Sequence, residues 1–274
     1  MDISGKCSIV TGGSSGLGKA IAELLTRRGA NVFLIARREA QLKAACVELK
    51  QQAANPSQKL GYFSADVSEL EAVKEAVKAA ERECGPIAVL VNSAGISSGG
   101  YVEKIPISGI EAEIKINYLG TVYTVKQVVE GMIRRRNGWI LNISSLAGLK
   151  GIFGYTGYSG SKFAVVGFSE ALRSELRPYG IKVSVLCPPD VETPMLRADN
   201  KVKPLENLRI SEGAKLMQPG DVARVALKEL EKGTFIIIPN FSSKMFGFAN
   251  RFVPSLVDRM LDKTIDTVRK ERGL

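Results

Sequence analysis

Thr11-Gly-Gly-Ser-Ser-Gly-Leu-Gly18 follows a short apolar run, 7–11, and leads directly into a stretch with apolar residues at helical spacing, 17–29. A glycine-rich turn between strand and helix has a physical purpose where a helix N-terminus must face a phosphate. Gly12, Gly16 and Gly18 permit the tight turn and a close backbone approach, while the helix's free N–H groups and dipole attract the anion. In isolation a glycine cluster marks only a strand-to-helix turn. Its setting decides the matter, because the same strand–helix alternation continues along the chain.

Apolar runs at 31–36, 60–65, 87–92, 139–144, 182–187 and 234–238 read as further strands, and 17–29, 39–54, 70–84, 110–136 and 158–178 carry apolar residues at helical spacing. Val32-Phe-Leu-Ile-Ala36 and Ile87-Ala-Val-Leu-Val91 are nearly continuous apolar runs, as strands covered on both faces must be. The expectation is an α/β fold: a Rossmann-type, doubly wound, parallel seven-stranded sheet forming one domain over 1–240. Residues 188–217, rich in Pro, Asp, Asn and Lys, are too long for an ordinary connection and read as a loop, with 189–217 assigned to the substrate.

The 274 residues are 45% hydrophobic and 24% charged, ordinary for a globular domain with a full core. There is no histidine, which excludes Ser-His-Asp triads, Cys-His nucleophiles and imidazole-based zinc sites. Cys7, Cys46, Cys84 and Cys187 are scattered without a C-x-x-C, so free thiols and no metal are expected. A formal charge of +10 attracts nucleic acid, anionic lipid or a phosphorylated ligand alike. No aromatic-interleaved basic motif or helix-turn-helix signal favours nucleic acid, so none is expected as a partner. With no secretory signal and no apolar run near the roughly 20 residues that span a bilayer, a cytoplasmic location is expected.

Tyr158 and Lys162 stand four apart, on one helix face, with Ser145 thirteen residues upstream. An ammonium beside a phenol favours the phenolate and lowers a pKa that is ordinarily near about 10, which would make Tyr158 a general acid. Tyr155 has Ser159, not a lysine, at the same spacing. A Ser-Lys hydrolase built on Ser145 and Lys162 is chemically conceivable, but it gives the glycine turn no purpose. The second strand ends in Ala36-Arg37-Arg38, with no acid to hold ribose hydroxyls and two arginines to meet a 2′-phosphate, so NADP(H) is the expected cofactor.

With Asp66-Val67, Asn92-Ser-Ala-Gly95, Asn117 and Asn142-Ile-Ser-Ser145 added in order, the chain resembles the short-chain dehydrogenase/reductases up to about residue 240. That resemblance implies cofactor contacts from Gly12, Ser14, Ser15, Gly16, Leu17, Gly18, Arg37 and Arg38. It implies further contacts from Asp66, Val67, Asn92, Ala94 and Gly95, and from Pro188, Val191 and Thr193 beside the carboxamide. Ser145 would hold a substrate carbonyl, Tyr158 would protonate it, Lys162 would hold the nicotinamide ribose and depress the phenol's pKa, and Asn117 would support a relay water. Ser144 is expected to bond locally. Cys187-Pro-Pro-Asp-Val-Glu-Thr-Pro194 departs from the family's usual pattern, with Pro189 where a glycine is common, so the turn there must differ.

This variant, with Lys203-Pro-Leu-Glu206 and Ile210-Ser-Glu212, is similar to the 3-ketodihydrosphingosine reductases within the family. The resemblance implies NADPH-dependent reduction of a long-chain, apolar 3-keto amine. A steroid or 3-oxoacyl ketone handled by the same residues stays open, as does, more remotely, a non-catalytic dinucleotide sensor. The family also implies a homodimer or homotetramer through the helices at 110–136 and 158–178. Beyond 240, Met245, Phe248, Ala249, Phe252, Val253, Leu256, Val257, Met260, Leu261, Ile265 and Val268 recur at spacings of three and four, among Lys244, Arg251, Arg259, Lys263, Arg269 and Lys270. This extension, 241–274, reads as a basic amphipathic helix broken near Pro254, suited to a membrane surface or to packing on the domain or a second subunit.

Overall fold

The structure, a computed structural model, describes residues 2–273. Seven parallel strands, β1 (Cys7–Thr11), β2 (Asn31–Ala36), β3 (Leu60–Ser64), β4 (Ile87–Asn92), β5 (Gly138–Ile143), β6 (Ile181–Leu186) and β7 (Ile236–Ile237), lie in the order 3-2-1-4-5-6-7. Helices α1 (Gly16–Arg27), α2 (Glu39–Gln51) and α9 (Pro219–Lys232) cover one face. The other is covered by α3 (Leu70–Cys84), α5 (Gly120–Arg135) and α6 (Thr156–Leu176). The fold is the expected doubly wound sheet.

Strand alternation explains the two cores. Val32 and Leu34 of β2 face α1 and α2, whereas Phe33 and Ile35 face α3, and all four are fully buried. In α3, Val73, Ala76, Val77, Ala80 and Cys84 repeat at three and four residues and form its buried stripe. Each large side chain buried this way contributes roughly 1.5–3 kcal/mol, which is why the pattern dominates the fold.

Strand order reverses between β1 and β4, so their C-terminal ends leave a crevice between connections that run to opposite sides. A buried polar chain crosses the sheet just beneath it. Asn92 donates to Asn142 at 2.8 Å, Asn142 donates to Ser169 at 2.9 Å, and Thr124 donates to Asn92. The side chain of Asn92, an expected cofactor contact, therefore braces the crevice floor, its amide nitrogen and its oxygen both bonded within the protein.

Three expectations change. Residues 188–217 are not a plain loop: α7 (Pro194–Asp199) and α8 (Leu205–Glu212) lie in them. Pro194 occupies the first turn of α7 behind the cap Thr193, whose hydroxyl accepts from Leu196 N–H at 3.2 Å, and Pro204 precedes α8. These prolines start helices where they read as loop residues. The single helix expected over 110–136 is α4 (Ile107–Glu113), a π-helical turn (Ile114–Leu119) and α5. The strand expected over 234–238 keeps two residues at the sheet edge.

The tail folds as α10 (Phe241–Phe252) and α11 (Pro254–Glu271), separated where Pro254 was expected to break it. It packs on the domain. Asn250 donates to the Leu149 carbonyl at 2.8 Å, Lys150 pairs with Asp258, Arg209 pairs with Glu271 at 3.2 Å, and Val257 and Val268 are buried. The opposite face keeps Phe248, Phe252 and Leu256 60–64% exposed. Among the described residues no helix is long and apolar enough to cross a membrane.

Candidate active site

The glycine turn is shaped by close contacts. Gly12 has φ +65°, and a Cβ there would lie 2.8 Å from Ala94 N and Ser93 O; one on Gly18 would lie 2.5 Å from Gly12 O. Thr11 Oγ1 accepts from the N–H groups of Ser93 and Ala94, both at 3.1 Å, tying the turn after β1 to the loop after β4. Side-chain-free backbone thus lines the approach to the N-terminus of α1, the cradle a dinucleotide pyrophosphate requires.

One cavity runs from this cradle to the ends of β5 and β6. Of the expected residues, Gly12, Ser14, Ser15, Gly16, Leu17 and Gly18 line it beside Arg37, Arg38, Asp66 and Val67. Ala94 and Gly95 continue the wall to Ser145, Tyr158 and Lys162, with Pro188, Val191 and Thr193 opposite. Arg37 lies 3.6 Å from the Asp66 carboxylate and is mostly exposed, so its guanidinium is available to an incoming anion.

Asn117 sits in the π-helical turn but not on the cavity wall. Its amide donates to the Ile96 carbonyl and to Ser161 Oγ, both at 2.9 Å, and its oxygen accepts from Ile96 N–H at 2.8 Å. The wide turn pushes the side chain into the loop after β4, where it holds that loop's backbone. As expected, Ser144 bonds locally, donating to the Lys162 carbonyl at 2.9 Å.

Tyr158 and Lys162 are both buried on α6, and the ammonium lies 5.6 Å from the phenol ring centroid while donating to the Ile143 carbonyl at 3.0 Å. The expected acidification of Tyr158 is not found in the polypeptide by itself. Burial drives its pKa up, the neighbouring Ser145 hydroxyl opposes the rise, and the charges of Asp199, Asp190 and Glu113 add to it. Lys162 is itself pushed down to about 8 by burial, against the raising influence of Cys187 and Glu113. Desolvation outweighs the pairing that the four-residue spacing suggested.

Several groups were missed. Tyr155, set aside for lack of a lysine, lines the cavity and donates to Asp199 on α7, and its ring centroid is 5.1 Å from that of Tyr158. Lys203, with a fully buried side chain, stands 3.4 Å from Asp199 and 3.9 Å from Asp190. No periodicity or motif links 155, 199 and 203; only the folding of 194–212 over the cavity mouth brings them together.

Glu113 is the other surprise. One oxygen accepts from Ser98 N–H at 2.6 Å; the other is buried without a hydrogen-bond partner among the described residues, in space that exists because position 157 is glycine. Burial pushes its pKa up to about 7 from 4.5; the Ser98 bond and Lys162 oppose the rise and Asp199 adds to it.

The family model for short chain dehydrogenase matches residues 6–204, and the chain belongs to that family. It is an NAD(P)-dependent oxidoreductase of the ketone/alcohol type. Its relatives include the 3-ketodihydrosphingosine reductase of Mus musculus, 42% identical over 228 residues that make up 83% of this chain and 69% of the relative. The 3-dehydrosphinganine reductase of Danio rerio is 42% identical over 236 residues, 86% of this chain and 71% of that one. A variant of actinorhodin polyketide ketoreductase, crystallised with NADPH, superposes with TM-score 0.77 and 30% identity, covering 85% of this chain and 95% of the other.

Because the folded pKa of Glu113 lies above its unfolded value, the native state keeps a proton between about pH 4.5 and 7 that the unfolded chain has released, so stability falls as pH rises through that window. The contribution lost is at most ~3 kcal/mol. Glu113→Gln should remove this slope. In urea unfolding at pH 5 and pH 8, the variant is expected to gain on wild type only at the higher pH.

Proposed function

We propose that the protein reduces the ketone of 3-ketodihydrosphingosine to the secondary alcohol, with NADPH as reductant. The observation that carries this reading is the convergence of Ser145, Tyr158 and Lys162 on one cavity with the glycine cradle and Arg37. Likeness to the two reductases named above supports the substrate.

In this reading the Ser145 hydroxyl orients the carbonyl oxygen toward the Tyr158 phenol. Bound NADPH supplies the hydride to the carbonyl carbon, and its chemistry is the cofactor's own. Tyr158 gives its proton to the oxygen as the C–O double bond opens, leaving a phenolate that solvent later reprotonates. The upward-shifted phenol keeps its proton at neutral pH, the state a donor needs, and the Lys162 ammonium favours the phenolate that forms. Asn117 acts at one remove, by fixing the Ile96 backbone beside the reacting centre.

NADPH is favoured over NADH because Arg37 and Arg38 stand at the adenosine end of the cavity. We assign 189–217 to the substrate's polar end. The exposed face of α10 and α11, carrying Phe248, Phe252 and Leu256 with Arg251 and Arg259 nearby, we assign to a lipid surface from which a long-chain ketone enters.

NADPH oxidation measured with 3-ketodihydrosphingosine, a steroid ketone and a 3-oxoacyl thioester tests the assignment, the first being expected to give the highest kcat/KM. Tyr158→Phe should lower that activity by roughly 10²–10⁴-fold while NADPH still binds; near-normal turnover would remove Tyr158 from the chemistry. Replacing Arg37 and Arg38 by Ala should reduce the preference for NADPH over NADH by about 10–100-fold, read as a kcat/KM ratio. Deleting 241–274 would also strip Arg269 from Glu206 of α8, so the surface is better tested by a Phe248→Ser, Phe252→Ser double variant. It should bind anionic liposomes roughly tenfold less than wild type. A wild-type protein that ignores such liposomes ends this part of the proposal.

A further inference from the structure

Asp190 follows the two prolines that depart from the family's usual turn, and its backbone is held on both sides. Pro188 C=O accepts from Leu146 N–H at 3.0 Å, and Asp190 C=O accepts from Met217 N–H at 3.0 Å. Asp190 lines the cavity, and its side chain is about one-third exposed. Among the described residues it meets one cation, Lys203 Nζ, at 3.9 Å, beyond hydrogen-bond reach.

Asp199 differs in this respect. Its oxygens are taken by the Tyr155 hydroxyl, Ser97 Oγ and Gly99 N–H, and Lys203 is closer to it, at 3.4 Å. Lys203 Nζ is fully buried and has no hydrogen-bond partner among the described residues, so the ammonium is held between two carboxylates and closes a short bond with neither. Two acids and one base leave the group one negative charge in excess, and of the two acids lining the cavity Asp190 is the more exposed, 31% against 3% for Asp199.

Position relative to the reacting atoms gives this charge a use. Asp190 and Asp199 line the same cavity as Ser145 and Tyr158, and their charges are among the influences that raise the Tyr158 pKa. In 3-ketodihydrosphingosine the amino group sits on the carbon next to the ketone, and it is an ammonium at neutral pH. Once the ketone oxygen is held by Ser145 and Tyr158, that ammonium lies two bonds from the carbonyl carbon, in the cavity that Asp190 also lines. The geometry points to Asp190 as the counter-ion that recognises the substrate's 2-ammonium group and so selects a cationic 2-amino ketone over a neutral one.

This inference rests on the proposed ketone reduction. It adds a consequence for catalysis: a bound ammonium offsets the acids that hold the phenol's proton, so the correct substrate eases the proton transfer that reduces it. A neutral ketone enters the same cavity and leaves the excess negative charge uncompensated.

The test compares kcat/KM with NADPH for 3-ketodihydrosphingosine and for the same chain with hydrogen replacing the amino group, in wild type, Asp190→Asn and Asp190→Glu. Wild type should prefer the amine. Asp190→Asn, which keeps shape and removes charge, should cut that preference by on the order of tenfold or more, chiefly through KM, and Asp190→Glu should restore part of it. If wild type reduces both ketones equally well, or Asp190→Asn lowers both by one factor, the role assigned to Asp190 is wrong while ketone reduction stands. If wild type reduces neither, the proposed function itself has failed.

Discussion

The turn after β1 lies against the backbone of the loop after β4, and most of the site depends on that contact. Gly12 must lack a side chain for residues 93 and 94 to approach, Gly18 must lack one for α1 to start beneath the turn, and Thr11 Oγ1 bonds the two segments directly. Because β1 and β4 flank the reversal in strand order, fixing their ends together fixes the crevice. The Asn92–Asn142–Ser169 chain carries the same constraint across β5 to α6, the helix that bears Tyr158 and Lys162. The glycine turn and the helix bearing Tyr158 are thereby parts of one frame.

The portion of this frame legible in the sequence is the portion set by short-range geometry. Strands buried on both faces show as apolar runs, the glycine turn shows by its setting, and a four-residue spacing places Tyr158 and Lys162 together on a helix. What stayed hidden depends on long-range contact. The side chain of Asn92, beside Ser93-Ala-Gly95 in the sequence, bonds to Asn142 and Thr124, partners 50 and 32 residues away. Asn117 belongs to a π-helical turn that no periodicity announces, and its side chain points into the protein. Pro194 and Pro204 read as loop residues and act as helix starts.

The tail shows how one sequence pattern serves two surfaces. Its residues at spacings of three and four predicted an amphipathic helix, but α11 also presents Arg269 to the fully buried Glu206 of α8 at 3.8 Å, and Tyr101 donates to the same carboxylate at 3.0 Å. A buried carboxylate needs such partners, so α11 helps hold the segment that closes over the cavity. The outward face of α10 and α11 retains its aromatic side chains for another contact. The segment carrying α8 and the tail are therefore joined through Glu206.

The largest departure from expectation, the direction of the Tyr158 shift, bears on how the site works. A phenol acidified in advance would lose its proton to solvent and serve oxidation of an alcohol better than reduction of a ketone. Here burial and three carboxylates keep the proton on, while Lys162, anchored by the Ile143 carbonyl and itself pushed down to about 8, waits beside the ring. In the proposed reduction the proton moves to the ketone oxygen as that oxygen gains electron density. Any positive charge the substrate brings near Asp190 acts in the same direction. The burial that raises the Tyr158 pKa thus defeats a simple reading of the Tyr–Lys spacing, and in the proposed reduction it favours the protonated phenol that a donor requires.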